Sequence, residues 1–219
     1  MLNRFARALF TRLLTPVAML LLRAGVSPDI VTLVGTLGVV VGALAFYPTG
    51  HLLAGTLVIV AFVFSDTVDG IMARKSGVSS QWGAYLDSTL DRVGDAAVFS
   101  GLVLWYAGGG DDRLTAVLAL ACLTLGSIVS YAKARAEGLG MTANVGIAER
   151  ADRLVAVLVA AGFVGLGVPR VLLTVVLGVL AVASLITVVQ RILEVRRQSF
   201  ALEPPSKACA RLRRPDVTA

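Results

Sequence analysis

The run Asp66-Thr67-Val68-Asp69-Gly70-Ile71-Met72-Ala73-Arg74, followed after eight residues by Gly83-Ala84-Tyr85-Leu86-Asp87-Ser88-Thr89-Leu90-Asp91, sets four carboxylates in otherwise apolar sequence. Carboxylates are costly at membrane depth and mark a functional site when they occur there. Asp66 and Asp69 are three apart and Asp87 and Asp91 four apart, so on helices each pair shares a face. The intervening Lys75-Ser76-Gly77-Val78-Ser79-Ser80 is a polar break suited to a tight turn between antiparallel helices. Folding that hairpin about residue 78 sets Asp69 level with Asp87 and Asp66 nearly level with Asp91. It also sets Ala73 opposite Gly83, where two small side chains would let the helices approach closely. Four converging carboxylates demand cations.

Around this stretch the 219-residue chain is 57% hydrophobic and 16% charged, with a mean hydropathy of +0.83. That is the composition of a polytopic membrane protein. The expected fold is an all-α integral membrane protein with six transmembrane helices at about 31–47, 52–73, 82–106, 114–134, 151–167 and 170–192, each long enough, or nearly so, for a hydrocarbon core about 30 Å thick. Before them, Met1 to Arg23 carries Leu2, Phe5, Leu9, Phe10, Leu13 and Val17 at helical spacing, with Arg4, Arg7 and Arg12 between. This reads as an amphipathic juxtamembrane helix lying on the membrane surface. A cleaved signal peptide is the alternative, but the arginines are spread through the segment and no compact apolar core follows them. The expected division is a surface helix at 1–24, a six-helix domain at 25–195 and a basic tail at 196–219.

Basic residues gather on one side of this topology, at both termini and in the Arg74-Lys75, Lys133 to Arg135 and Arg150 to Arg153 segments. The other side holds only Arg113 and Arg170. By the positive-inside rule both termini and the carboxylate site face the cytoplasm, in a multi-pass protein of the cell membrane. The net charge of +6 fits anionic lipid headgroups and anionic substrates, with no nucleic-acid partner. Cys122 and Cys209 suggest neither a disulfide framework nor a zinc site. His51 lies in a short loop and reads as a surface residue.

Oxygen-only donors suit Mg²⁺ or Mn²⁺ where phosphates complete the shell. Two such ions could clamp a pyrophosphate. Ser27-Pro28-Asp29-Ile30-Val31-Thr32 reads as a helix start, with Ser27 as cap and Pro28 in the first turn.

The pattern DxxDGxxAR, eight residues, GxxxDxxxD resembles the signature of the CDP-alcohol phosphotransferases, integral membrane enzymes of phospholipid synthesis, and every specified position is met. A hairpin held by internal ion pairs is the bland alternative. It fails on charge, since only Arg74 and Arg92 stand near four acids. The resemblance implies that Asp66, Asp69, Asp87 and Asp91 hold two Mg²⁺ ions, with Mn²⁺ as the alternative, and that Asp91 also takes the acceptor's proton. The acceptor hydroxyl would attack the β-phosphorus of a CDP-linked lipid, and CMP would leave. The same likeness assigns Asp29, Ile30, Val31 and Thr32, a Pro-(Asn/Asp)-x-x-(Thr/Ser) element, to the nucleotide pocket with Asp66, Gly70, Arg74 and Ser80. Gly70 has no side chain to block a close approach, and Arg74 can fork onto a phosphate. Arg92, with Asp95 one turn on, reads equally well as structural counter-charge.

The inner ends of the later spans carry Ser130, Lys133, Arg135, Arg153 and Arg191. A phosphorylated acceptor would use such a set and a neutral one would not, although bases also gather there by the positive-inside rule alone. Leu14 to Ala18, Ser130 to Glu137 and Glu149 to Leu154 resemble the actinobacterial branch of the family, whose substrates are CDP-diacylglycerol and inositol 1-phosphate. The branch using glycerol 3-phosphate also needs an anion pocket and is the alternative. The family's dimers imply a homodimer embedded among membrane lipids. A divalent-cation transporter is the remaining reading, opposed by acids that cluster towards one side and by apolar outer halves of the spans.

Overall fold

The computed structural model describes residues 14–76, 80–147 and 149–202, with the side chains of Asp66, Ser76 and Leu202 outside the description. Residues 1–13 of the expected surface helix, the turn at 77–79 and the tail from 203 therefore lie outside the described residues. Every regular element within them is helical: α1 (Leu14–Arg23), α2 (Pro28–Phe46), α3 (Leu52–Val63), α4 (Ser65–Ser76), α5 (Gln81–Ala107), α6 (Arg113–Glu137), α7 (Arg150–Gly165) and α8 (Val171–Leu202).

Local chemistry sets the starts. Ser27 is extended and its hydroxyl accepts the Ile30 N–H, with Pro28 opening α2, as the sequence leads one to expect. Ser80 Oγ accepts the Gly83 N–H at 2.9 Å and starts α5. Asp112 caps α6 through the Thr115 N–H at 3.1 Å. That backbone hydrogen bond is the largest influence holding the Asp112 carboxyl below its ordinary range.

Four of the helical stretches are long and apolar enough to cross a membrane: Pro28–Phe46, Leu52–Lys75, Arg113–Glu137 and Val171–Ala201. The expected 52–73 span is interrupted at Phe64, between α3 and α4. Ser65 Oγ bonds to the Phe62 carbonyl there, and side-chain bonding of this kind competes with the helical ladder.

The core joins Val39, Ala43 and Tyr47 at α2 to Ile59 of α3, Val98 and Leu102 of α5, Cys122 of α6, Val157 of α7 and Leu177 of α8. Helix α5 comes so close to α2 that a Cβ on Gly101 would lie 2.7 Å from the Ala43 carbonyl oxygen. A smaller cluster packs Ala18 of α1 against Val68, Ile71 and Met72 of α4. Val17, on the apolar stripe expected of the surface helix, is 47% exposed. Helix α1 thus presents one apolar side to α4 and leaves another uncovered.

The α5–α6 and α7–α8 links meet at one end, where Arg170 Nη1 donates to the Gly110 carbonyl at 2.9 Å, and Gly50 of the α2–α3 link lies against Trp105 near the end of α5. The opposite end holds Ser27, the start of α5 and the long link after α6. Helix α8 fixes that link: Thr187 Oγ1 accepts the Ile147 N–H at 3.2 Å, Arg191 Nε donates to the Val145 carbonyl at 3.0 Å, and Gln198 exchanges bonds with the Thr142 backbone at 2.9 and 2.7 Å. The start of α7 is held in place as a result.

Candidate active site

Helices α4 and α5 both pack on α2 rather than chiefly on each other. This corrects the expected close approach of α4 and α5 at Ala73 and Gly83. No described atom of α4 lies within 4 Å of where a Cβ on Gly83 would sit; the nearest are Ser80 Oγ at 3.3 Å and Asp29 Oδ1 at 3.7 Å. The small residues border an open space. A cavity of about 330 Å³ is lined by Ser27, Asp29 and Thr32 of the α2 start, Asp69, Gly70 and Ala73 of α4, and Ser80, Gly83 and Asp87 of the α5 start. A hairpin argument based on two helices omits the third, which enters between their inner ends.

Within the cavity Asp69 is 7% exposed, and its Oδ2 accepts a 2.5 Å hydrogen bond from Thr32 Oγ1. The carboxylate is thereby aimed by a residue 37 positions earlier. Asp87 is exposed on the facing wall. Over Gly70, Arg74 Nη1 lies 3.5 Å from the position a Cβ would take, so the guanidinium folds back along α4 onto the bare backbone face.

The predicted nucleotide set divides. Asp29, Thr32, Gly70 and Ser80 line the cavity. Ile30 is half exposed, and Val31 packs on the Ala18–Met72 cluster. Neither Ile30 nor Val31 faces the opening.

Asp91 lies one turn beyond Asp87 and borders a small adjoining space with Thr36, Gly94 and Arg150. Its Oδ1 is 2.8 Å from Arg150 Nη1. Arg150 Nε donates to Asp95 at 3.1 and 3.3 Å, whereas Arg92 Nη2 stands 3.7 Å from Asp91 Oδ2. The expected Arg92–Asp95 pairing is therefore replaced: Arg150 takes Asp95 and reaches Asp91. Sequence reasoning passed over Arg150 because its partners lie 55 to 59 residues away. One signal was available, a cation at the first position of a helix, where the macrodipole disfavours it.

The acceptor set does not converge on a single described cavity. Arg153 is 2% exposed and borders an internal space with Arg92, Asp95 and Gly126. Arg191 is 8% exposed and donates to the Val129 and Val145 carbonyls at 2.5 and 3.0 Å. With Arg135 it borders an apolar groove between α6 and α8. Lys133 Nζ is 3.9 Å from Glu137, and Ser130 Oγ donates to the Gly126 carbonyl at 3.1 Å.

The sequence of residues 25–190 matches the family model for CDP-alcohol phosphatidyltransferases. The chain belongs to this family. Among CDP-alcohol phosphatidyltransferases it is 58% identical over 214 residues to the phosphatidylinositol phosphate synthase of Streptomyces avermitilis, covering 95% of this chain and 88% of that protein. It is 48% identical to the synthase of that name from Cutibacterium acnes, covering 90% and 98% of the two chains. The fold matches the crystal structure of the Mycobacterium tuberculosis phosphatidylinositol phosphate synthase with CDP-DAG bound, at 45% identity and a TM-score of 0.80, covering 84% of this chain and 94% of that one. A second crystal structure of that enzyme, in complex with manganese and citrate, matches with a TM-score of 0.80 at 45% identity over 83% and 88% of the two chains. Membership of an enzyme family removes the transporter reading.

Proposed function

We propose that this chain is a phosphatidylinositol phosphate synthase, transferring the phosphatidyl group of CDP-diacylglycerol to a hydroxyl of inositol 1-phosphate and releasing CMP. The observation that carries the reading is the cavity in which the α2 start, Asp69-Gly70 and Asp87 meet, in a chain so close in sequence to synthases of that name.

The donor chemistry fits divalent cations. Asp69 and Asp87 offer hard oxygens to one cavity, and Asp69 is held by Thr32 in an interior where a lone carboxylate would be unfavourable. Among the described residues no three Asp, Glu, His or Cys side chains form a metal cluster; the Asp66 side chain lies outside the description, and Asp91 is drawn towards Arg150. In our reading Asp66, Asp69, Asp87 and Asp91 hold two Mg²⁺ ions, with Mn²⁺ as the alternative. When bound, the ions supply positive charge at the pyrophosphate.

The protein's own groups do the rest. Asp29 and Thr32 line the cavity for the cytosine or ribose, Gly70 leaves the backbone open to the sugar and phosphate, and Arg74, with Ser80 as a second donor, offers a fork to a phosphate oxygen. Asp91 accepts the proton as the acceptor oxygen bonds to the β-phosphorus and the bond from that phosphorus to CMP breaks. For the acceptor phosphate we assign Ser130, Lys133, Arg135, Arg153 and Arg191.

The reading extends to six spans. Helices α5 and α7 are less apolar than the other four because Asp87, Asp91, Arg92, Asp95, Arg150 and Arg153 serve the interior. Both termini and the site then face the cytoplasm in the cell membrane, with 1–24 as surface helix, 25–195 as catalytic domain, 196–219 as tail, and two copies forming a homodimer. Product analysis by mass spectrometry tests the reaction: purified protein in lipid nanodiscs, given CDP-diacylglycerol, inositol 1-phosphate and Mg²⁺, should yield phosphatidylinositol phosphate. Release of diacylglycerol or phosphatidic acid instead would contradict it.

A further inference from the structure

Arg150 is the first residue of α7, behind Glu149 as cap. Among the described residues it reaches two acidic residues across the bundle. Its Nε faces both oxygens of Asp95, at 3.1 and 3.3 Å. Its Nη1 end reaches Asp91 Oδ1 at 2.8 Å, and Nη2 reaches the Asp91 carbonyl at 3.4 Å. All three side chains are largely shielded, with exposures of 25% for Arg150, 17% for Asp91 and 15% for Asp95. In such surroundings an uncompensated carboxylate is expensive. A carboxylate that is to receive a divalent cation needs compensation before that cation arrives.

We propose that Arg150 is the resident counter-cation of the metal site: its Nη1 end neutralises Asp91 while no divalent ion is bound and yields that carboxylate to the incoming ion, with Nε staying on Asp95. This rests on the reading of Asp91 as a metal ligand. The division of labour follows from the fork of the guanidinium, whose Nε edge and Nη ends address separate partners, so one contact can open without loss of the other. Helix α8 makes the arrangement possible by pinning the preceding link through Thr187 and Arg191, which holds the start of α7 over α5. Arg150 is thus a positioning residue, competing with the metal at one carboxylate and retained by the next.

Competition has a sign. Removing a positive charge a few ångströms from a cation site strengthens cation binding, whereas a merely structural arginine would leave affinity unchanged or, by loosening the site, weaken it. The experiment is Mn²⁺ binding to detergent-purified protein, read as free Mn²⁺ by electron paramagnetic resonance, for the unmodified chain, Arg150→Gln and Asp69→Asn. Arg150→Gln should bind Mn²⁺ about tenfold more tightly, and Asp69→Asn should lose the site. Unchanged or weaker binding by Arg150→Gln, with Asp69→Asn still losing the site, overturns the role of Arg150 alone. No Mn²⁺ binding by the unmodified chain overturns the metal reading itself. A second measurement needs no variant: cryo-electron microscopy of the unmodified protein with and without Mn²⁺ should find the Nη1–Asp91 contact open and the Nε–Asp95 contact kept in the metal-bound state. An Nη1–Asp91 contact that persists beside a bound Mn²⁺ contradicts the proposal.

Discussion

Thr32 Oγ1 donates a 2.5 Å hydrogen bond to Asp69 Oδ2, tying the first turn of α2 to the middle of α4. A hydrogen bond to a charged group contributes about 1.5–3 kcal/mol, here to the orientation of a site carboxylate. Thr32→Val should therefore lower kcat/KM by about tenfold or more, and Thr32→Ser should retain most of it. Steady-state CMP release by the two variants checks this; loss of activity in Thr32→Ser with Thr32→Val still active would place the methyl group, not the hydroxyl, in the role.

Asp69→Asn keeps the shape of the side chain and its bond to Thr32 while weakening a hard-cation site. Activity should fall to background with a melting profile close to that of the unmodified protein. A stable and fully active variant would remove Asp69 from the chemistry.

Gly70 borders the cavity, and no described atom of another helix lies within 4 Å of where its Cβ would sit. A Cβ at Gly70 would find its nearest neighbour, Arg74 Nη1, at 3.5 Å, an ordinary contact. Gly70→Ala should fold normally and raise the KM for CDP-diacylglycerol more than the KM for the acceptor. A collapse in thermal stability would instead point to a packing role.

Two glycines on α5 separate close approach from mere presence. At Gly101 a Cβ would press against the Ala43 carbonyl at 2.7 Å, a backbone atom with little room to retreat, whereas at Gly94 the nearest atom is Val39 Cγ1 at 3.6 Å. Gly101→Ala should destabilise by about 1–3 kcal/mol. Gly94→Ala should be neutral or stabilise slightly, since glycine costs up to about 1 kcal/mol inside a helix. Thermal unfolding in detergent distinguishes them.

Sequence alone made the acids, the α2 cap and the helices legible because each depends on near neighbours. Asp66 and Asp69, like Asp87 and Asp91, share a face by helical period, and Ser27 caps by residue type and position. What stayed hidden depends on distant partners. Phe64 interrupts a continuous apolar run at a point where α2 comes close, a Cβ on Gly35 falling against the Ser65 side chain. Helix α2 enters the α4–α5 hairpin from 37 residues upstream of Asp69, and Arg150 reaches Asp91 from 59 residues downstream. For the acceptor set, position at the inner helix ends was readable. Burial of Arg153 and the carbonyl partners of Arg191 were not.

Lys133, which we assign to the acceptor phosphate, stands 3.9 Å from Glu137. Lys133→Ala should raise the KM for inositol 1-phosphate severalfold and leave that for CDP-diacylglycerol nearly unchanged. Equal effects on both substrates would assign it to the helix surface.

The central claim is the acceptor, and one comparison tests it most directly: kcat/KM for CMP release with CDP-diacylglycerol and Mg²⁺, measured separately with inositol 1-phosphate, inositol and glycerol 3-phosphate. Turnover confined to inositol 1-phosphate is the predicted result. Preference for glycerol 3-phosphate would leave the aspartate site standing and contradict the assignment of the acceptor.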